Sequence, residues 1–550
     1  MHKTIPWIFL ILFIIYLIGL SIDIMDIDAA QYASMSREML QNSDFLHLYD
    51  VGNDYLDKPP FLIWVSALSM KIFGINNFAY RLPSFIFSIL SLFATYKLSS
   101  LFYNKTTSFF AAVILATSQA FFLMNHDVRT DTILMGWVIF SIWQLAIWFR
   151  NNKFIHFFAA CVGIAGGMMT KGPIALLVPL FAFGTHFILH RNIKVFFKWQ
   201  YVAGAFIICV LLIPMCIGLY QQFDMHPEKL VNGKNGVSGI RFFFWTQSFG
   251  RITGESEWDN NSNIFYLLQN MLWSFLPWIL FFGMAFYFNI KQLIQQKFKL
   301  VIGQEAITTG GFLLTYISLG LSNYQLPHYI FVVFPLAAII TARFFYTLII
   351  ENRYPKMYTI LLNMHFFIFA LLWLALIVLL ACCFDTIPVI IPVIASLLFV
   401  VYIIVFFLIK RSQFRIFFIC LFTIISINFF LNSFFYPSLL RYQMGNMAGS
   451  WIHEQKIPKN KIFIYRFSDL RSLHFYAKTN IYHKDSVDLI KPGDWIITGV
   501  DQLADFKEKA VKYDILFEGK NYPVSKLSLK FLNPMKREKE LSPYAIIKIK

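Results

Sequence analysis

Long apolar runs alternate with short polar breaks along most of this chain, and the runs have the length that crosses a bilayer. A helix needs about 20 predominantly apolar residues to span a hydrocarbon core. About thirteen runs approach that length, near 5–24, 81–101, 106–124, 131–149, 154–170, 173–190, 200–220, 263–290, 306–321, 328–349, 357–383, 386–409 and 414–436. The breaks between them are of two kinds. One kind is rich in Lys and Arg: Asn104-Lys105, Arg150 to Lys153, Arg191 to Lys198, Lys291 to Lys299, Arg353 to Lys356, and Lys410 to Arg415. Short loops of this composition stay cytoplasmic. If the first run starts inside, all six fall on that side, which an incorrect run count would break. The remaining breaks then face outward: 25–80, 125–130, 171–172, 221–262, 322–327, the turn near 385, and everything after 437.

The pattern changes after residue 437. The tail is polar and Lys-rich, with Lys461 to Tyr465, Asp494 to Val500 and Tyr544 to Ile549 expected as strands and Ser468 to Lys478 and Asp501 to Lys512 as helices. The expected organisation is an α-helical polytopic membrane unit over 1–437, carrying outer loops 25–80 (with interfacial helices) and 221–262, followed by a small α/β domain over 438–550. The start, Met1-His2-Lys3 and then apolar residues, resembles a signal sequence. Its core is too long and no small-residue cleavage site follows, so it is expected to remain as the first helix.

Composition agrees with a membrane protein. The chain has 550 residues, 58% of them hydrophobic and only 14% charged, against roughly 25% charged in a soluble domain. The formal charge of +17 would suggest nucleic acid in a soluble protein. Here the cations lie in short loops, where they set orientation and meet membrane phosphates, so no nucleic-acid partner is expected. All six Cys lie inside apolar runs, without metal-ligand spacing or a disulfide framework, and are expected to be small buried apolar residues.

The unusual polar residues cluster on the outward breaks. Asp23, Asp26 and Asp28 follow the first run and precede an amphipathic stretch, Ala29 to Met39. They either cap that helix at its positive end or supply a partly desolvated general base. In Tyr55-Leu56-Asp57-Lys58-Pro59-Pro60 two prolines stiffen the backbone after Lys58. Arg129 and Asp131 stand at the outer start of the fourth run, where charges need partners or a wet cavity. Lys171, in Met169-Thr170-Lys171-Gly172-Pro173, lies on the side where cations are disfavoured, and so calls for an anion. Arg251 and Glu255 come from loop 221–262, and His328 and Tyr329 from Gln325-Leu326-Pro327-His328-Tyr329. Outward cations facing carboxylates on one side of a membrane suit a phosphate-bearing lipid.

In order along about residues 1–340, the pieces D-x-x-x-Y (Asp28 to Tyr32), K-P-P (Lys58), R-L-P-S (Arg81 to Ser84), T-D (Asp131), T-K-G-P (Lys171) and L-P-x-Y (Leu326 to Tyr329) resemble a known superfamily. It is that of the bacterial aminoarabinose transferases and dolichyl-phosphate-mannose-protein mannosyltransferase-like GT-C glycosyltransferases. The resemblance implies an undecaprenyl-type polyprenyl-phosphate sugar donor, inverting transfer to an acceptor such as lipid A or another glycan, and a site on the periplasmic face of the bacterial inner membrane. On this resemblance Asp28 matches the catalytic aspartate, Asp131 the second acidic position and Lys58 the phosphate-binding lysine. Lys171 and Arg251 match basic positions near the donor phosphate. Tyr32, Arg81, Arg129, Glu255, His328 and Tyr329 complete the set of expected substrate contacts. Ala29, Gln31 and Gln325 depart from the family, which often has Glu, Arg and Lys there. The scheme requires no cofactor and leaves a divalent metal open. Three other readings are a protein O-mannosyltransferase, a flippase for lipid-linked sugars and a non-catalytic membrane subunit. A flippase would be expected to show inverted repeats, and none is visible.

Overall fold

The computed structural model describes residues 5–231, 233–255, 258–301, 303–408 and 413–550. The Met1-His2-Lys3 start and Lys410, Arg411 and Ser412 of the last cation-rich break lie outside them. All thirteen apolar runs are helical. Among the described residues eight helices are long and apolar enough to cross a membrane, and a ninth span is a pair, Lys105–Ala116 and Gln119–His126, bent by 54°. The others are shorter than the runs suggest. Ile5–Ser21, Ile174–Leu189 and Ile307–Gly320 end early, and the run 263–290 divides into Tyr266–Ser274 and Ile279–Gln295 on either side of Pro277, which cannot continue a helix ladder. Hydropathy measures how far apolar residues extend, and does not register where proline or a polar turn stops the helix.

Local chemistry fixes several of these ends. Asn76 and Asn104 cap the helices Asn77–Phe102 and Lys105–Ala116 by accepting the Ala79 and Thr107 amides at 2.8 and 2.9 Å. Gly172 closes Phe154–Lys171 at φ +96°, where a side chain would be strained. Packing is layered around Pro327–Ile349, which is 83% buried, whereas Ile390–Leu408 is 17% buried and presents its sides outward. Phe110, Trp278, Phe345 and Phe417 interlock edge-to-face in the centre, with Phe110 to Phe345 at 5.2 Å and Trp278 to Phe345 at 5.6 Å. Of the cysteines expected to be buried, Cys161, Cys383 and Cys420 are, but Cys209 and Cys382 are exposed and Cys216 is half-buried. A helix that spans lipid can carry an apolar residue on its outward face without cost.

Contacts between the breaks fall into two sets. On one face Leu48 pairs with Gln222, Asp57 with Gln247, Arg129 with Asp28 and Asn260 with Gln325. On the other Arg150 bonds the Leu101 carbonyl, Lys198 bonds Asn152, and the Leu300 amide bonds the Leu189 carbonyl.

The tail folds on the first face as a five-stranded sheet in the order Tyr482–His483, Ile462–Tyr465, Trp495–Gly499, Ser542–Ile549, Tyr513–Asn521. The first three strands run parallel and the last two pair antiparallel. Three of the strands match the expected ones. The other two differ from expectation: Tyr482–His483 is only two residues long, and the alternation of Tyr513–Asn521 is mostly exposed; the helix expected over Asp501 to Lys512 is confined to Leu503–Glu508. Helices Met444–Glu454 and Arg471–Tyr476 cover one side of the sheet through Met444, Ala448 and Leu473, and Leu503–Glu508 covers the other through Phe506.

The three acidic residues after the first helix do not cap the next one, whose N-cap is Ile27 without a side-chain bond. They tie the segment to its surroundings. Asp23 accepts from Asn77 at 3.1 Å and from Tyr476 at 3.2 Å. Asp26 accepts the Ser472 amide at 3.0 Å and its hydroxyl. Arg81, expected to contact substrate, is fully buried and holds the same segment: it donates to the backbone carbonyls of His126, Leu20 and Asp23 at 2.8, 3.3 and 3.0 Å.

Arg81→Ala would leave these carbonyls without partners in a dry site, at a cost of about 3 kcal/mol or more, and lysine cannot reproduce the fork. Thermal unfolding in detergent should show both Arg81→Ala and Arg81→Lys well below the parent; an unshifted midpoint refutes the anchoring role. Burial raises the Asp26 carboxyl to about 6, against the opposing Ser472 bonds and the Arg471 charge. Its raised value favours the protonated folded form, so this stabilisation is complete below the unfolded carboxyl value near 4 and is lost as pH rises through about 6. The tail should dock more tightly at pH 4.5 than at 7.5, by on the order of 2–3 kcal/mol, measured by hydrogen exchange of Met444–Glu454. Asp26→Asn should flatten that difference.

Candidate active site

The loops of the first face meet over the ends of four helices. Asp131 opens the helix Thr130–Asn151 and Lys171 closes the neighbouring Phe154–Lys171, so two packed spans bring opposite charges to one level. Lys171 Nζ donates to Asp131 Oδ1 at 2.5 Å. Asp131 is fully buried, and its other oxygen, Oδ2, has no hydrogen-bond partner and lies 3.7 Å from His328 Nε2. Lys171 also sits over the Tyr329 ring at 4.0 Å. Arg251, on the short helix Gly250–Thr253, donates to the Tyr329 hydroxyl at 2.9 Å while its Nε is buried without a partner. Lys58 reaches Asp57 at 2.7 Å, and Asp57 is held in turn by Gln247.

Lys58, Asp131, Lys171, Arg251 and Tyr329 line one cavity of about 110 Å³; Gln247 and three serines add polar groups, and Leu134, Ile174, Leu177, Ile252, Leu319 and Val332 give it an apolar stretch of wall. Three cations face a single carboxylate across its lining. With the Arg251 Nε buried and unpartnered among them, the cations are arranged to take an anion whose stem is apolar. The structure thus gathers five of the expected residues, with His328 beside them.

Asp28 does not line this cavity. It is the first residue of the helix Asp28–Asn42 and pairs with Arg129, whose Nε and Nη2 both donate to Asp127 at 3.0 Å. Arg129 is therefore engaged by two carboxylates. Tyr32, one turn on, is buried; burial pushes its phenol well up, and the Asp28 and Asp57 charges add to this.

Two expected contacts lie elsewhere. Arg81 serves the fold as described above. Glu255 accepts from Arg241 at 3.0 Å and from Trp245 at 2.7 Å, and borders a separate cavity of about 310 Å³ with Phe242 and Trp258. Gln325 is buried and donates to the Gly320 and Ser322 carbonyls at 2.9 and 3.1 Å, closing its turn. Gln31 donates to Asp50 at 2.8 Å. The residues missed by sequence reasoning are Asp57, Asp127, Gln247 and Tyr324. Asp57 lies within the motif of Lys58, and Asp127 within the outward break 125–130. Gln247 follows the π-helical turn Phe242–Thr246, and Tyr324 offers its ring to Arg251 at 5.2 Å; neither has a signal in local sequence. Among the described residues no cluster of three His, Cys, Asp or Glu is arranged to hold a metal ion.

A short alkyl phosphate should bind this pocket. Replacing Lys171 with Met removes one charge-assisted contact, worth about 1.5–3 kcal/mol, and should weaken binding about tenfold or more. Isothermal titration of the detergent-solubilised protein would show it, and unchanged affinity would remove Lys171 from the anion site.

Known proteins share this architecture. Residues 57–217 match the sequence profile of the dolichyl-phosphate-mannose-protein mannosyltransferase family. An undecaprenyl phosphate-alpha-4-amino-4-deoxy-L-arabinose arabinosyl transferase of Yersinia enterocolitica is 29% identical over 259 residues, covering 46% of this chain and 44% of the relative. The chain thus spans less than half the length of that relative. The crystal structure of ArnT from Cupriavidus metallidurans bound to undecaprenyl phosphate superposes with a TM-score of 0.73 over 98% of both chains, at 15% identity. The Archaeoglobus fulgidus oligosaccharyltransferase superposes with a TM-score of 0.51 over 90% of this chain and 70% of its own, at 10% identity. The motif order, the profile match over residues 57–217 and the shared architecture agree: this multi-pass membrane protein has a GT-C fold and is similar to the aminoarabinose transferases and dolichyl-phosphate-mannose-protein mannosyltransferases.

Proposed function

We propose that the protein is an inverting glycosyltransferase that moves a sugar from a polyprenyl-phosphate carrier to a lipid or glycan acceptor on the periplasmic face. The observation that carries this reading is the pocket in which Lys58, Lys171 and Arg251 meet above an apolar wall. That combination fits a phosphate on a hydrocarbon tail. The name of the Yersinia relative points to an undecaprenyl-phosphate aminopentose as donor, and the profile match keeps a polyprenyl-phosphate hexose such as mannose as the second donor to test. The six cation-rich breaks favour a cytoplasmic opposite face, which would set 438–550 as a periplasmic unit on a membrane unit of 1–437.

In the reaction Asp28 takes the proton of an acceptor hydroxyl. The acceptor oxygen bonds to the anomeric carbon from the side opposite the phosphate, and the carbon–oxygen bond to the phosphate breaks. The departing polyprenyl phosphate keeps the electron pair, and Lys58, Lys171 and Arg251 stabilise its growing charge. Preorganised charge of this kind is worth roughly a hundredfold or more in rate per donor. Arg129 orients Asp28, and Asp131 orients Lys171, leaving Oδ2 free to accept from a sugar hydroxyl.

The test uses reconstituted protein, radiolabelled polyprenyl-phosphate sugars and extracted membrane acceptor lipids. The parent should release sugar-free carrier. Asp28→Asn should lower turnover by about 10²–10⁴-fold with donor affinity unchanged, while Asp131→Asn should weaken donor binding through Lys171. Full turnover by Asp28→Asn removes it as the base. Failure of the parent to consume either donor overturns the function.

A further inference from the structure

Met535 and Leu529 are the most exposed large apolar side chains among the described residues, at 93% and 86%. They sit on two short helical turns, Leu529–Leu532 and Pro534–Arg537, in the tail. These turns are firmly held. Phe531 stacks on Tyr522 at 3.7 Å and meets Tyr442 edge-on at 5.2 Å. The buried Arg537 donates to the Phe531 carbonyl at 3.0 Å, the Tyr442 hydroxyl at 2.9 Å and the Cys383 carbonyl. Rigid support under an exposed Leu and Met makes their exposure a feature of the fold.

Their height is set by the same contacts. Cys383 and Phe384 form the turn between the membrane-length helices Pro355–Cys382 and Ile390–Leu408, and Phe531 packs on Phe384 at 6.3 Å. Val389 and Ile390, on that turn, are exposed apolar residues as well. The two turns therefore rest where spanning helices leave the hydrocarbon. Charge completes the picture. Residues 524–540 hold five cations against two carboxylates. Lys526, Lys530, Lys536 and Lys539 are all exposed, and Glu538 is already engaged by Lys520 at 2.5 Å. Apolar tips ringed by lysines at a membrane rim have the chemistry of an interfacial anchor.

We propose that residues 524–540 seat the tail on the leaflet of its own side, with Leu529 and Met535 among the acyl chains and the four lysines at anionic phospholipid phosphates. The contact would fix the tail from a second direction, away from its attachment to the helix Asp28–Asn42. It stands independently of the proposed reaction.

The test places a polarity-sensitive fluorophore on Leu529→Cys or Met535→Cys, in full-length protein whose six native cysteines are changed to alanine. The control is Glu508→Cys, exposed on the far side of the sheet. Each is reconstituted in phosphatidylethanolamine–phosphatidylglycerol vesicles containing brominated lipid. Quenching at 529 and 535 should exceed that at 508 at least threefold. It should fall by half or more in phosphatidylcholine vesicles, or when Lys526→Gln, Lys530→Gln and Lys536→Gln are combined. Equal quenching at all three sites overturns the anchor. A label shielded from water but not quenched means a protein occupant and overturns it too. Strong quenching that ignores both lipid charge and the lysine changes overturns the anionic-lipid assignment.

Discussion

A lysine removed from water has to meet an anion, and Lys171 meets Asp131 at 2.5 Å where two packed membrane helices end. The rest of the site is arranged around that pair. A buried ion pair contributes little net stability, but removing one partner leaves an uncompensated charge. The helix ends are therefore locked in level and in rotation. Gly172 lets the chain turn immediately after Lys171, and Gly166 lets the Phe154–Lys171 helix approach Trp137 so closely that a methyl group would overlap the indole. The pair uses only one oxygen of Asp131, so a buried acceptor remains open toward the cavity.

The second constraint is long-range. The helix that begins at Asp28 is held from behind by the tail. Arg471 reaches Asp50 at 2.9 Å, Asp50 accepts from Gln31 on that helix, and Arg37 bonds Asn480. Asp469 backs Arg471 at 2.5 Å. Burial works against its ionisation, but His474 and Arg471 outweigh it and hold the carboxyl well below its usual range. Gln31, a departure from the family pattern, thus belongs to the joint between membrane unit and tail, as Gln325 belongs to its own turn. Neither reaches the cavity's lining. Gln31 and Gln325 thus do structural work here, and the charges that line the cavity are Lys58, Asp131, Lys171 and Arg251.

The asymmetry of the molecule follows from these two constraints. Charges that would be costly in lipid are gathered at one face, where they neutralise one another in pairs: Arg129 with Asp28 and Asp127, Lys58 with Asp57, Lys171 with Asp131. The cavity that these pairs border also has an apolar stretch of wall.

Much of this was legible in the chain itself. Transfer of apolar side chains to lipid is additive and local, so run length alone located the helices of membrane-crossing length among the described residues. The residues of the cavity were legible because a cation on the wrong side of a span, such as Lys171, is anomalous wherever it occurs. What the sequence could not decide is which anomalous residue meets which. Arg81 and Arg129 are equally conspicuous as letters, yet one is spent on three backbone carbonyls and the other on Asp28. Asp26, two residues before the helix Asp28–Asn42, waits for Ser472, 446 positions away. Hydrogen bonds and ion pairs act over a few ångströms in directions set by backbones that come together only on folding, so partners, and hence roles, were decided by the tertiary structure.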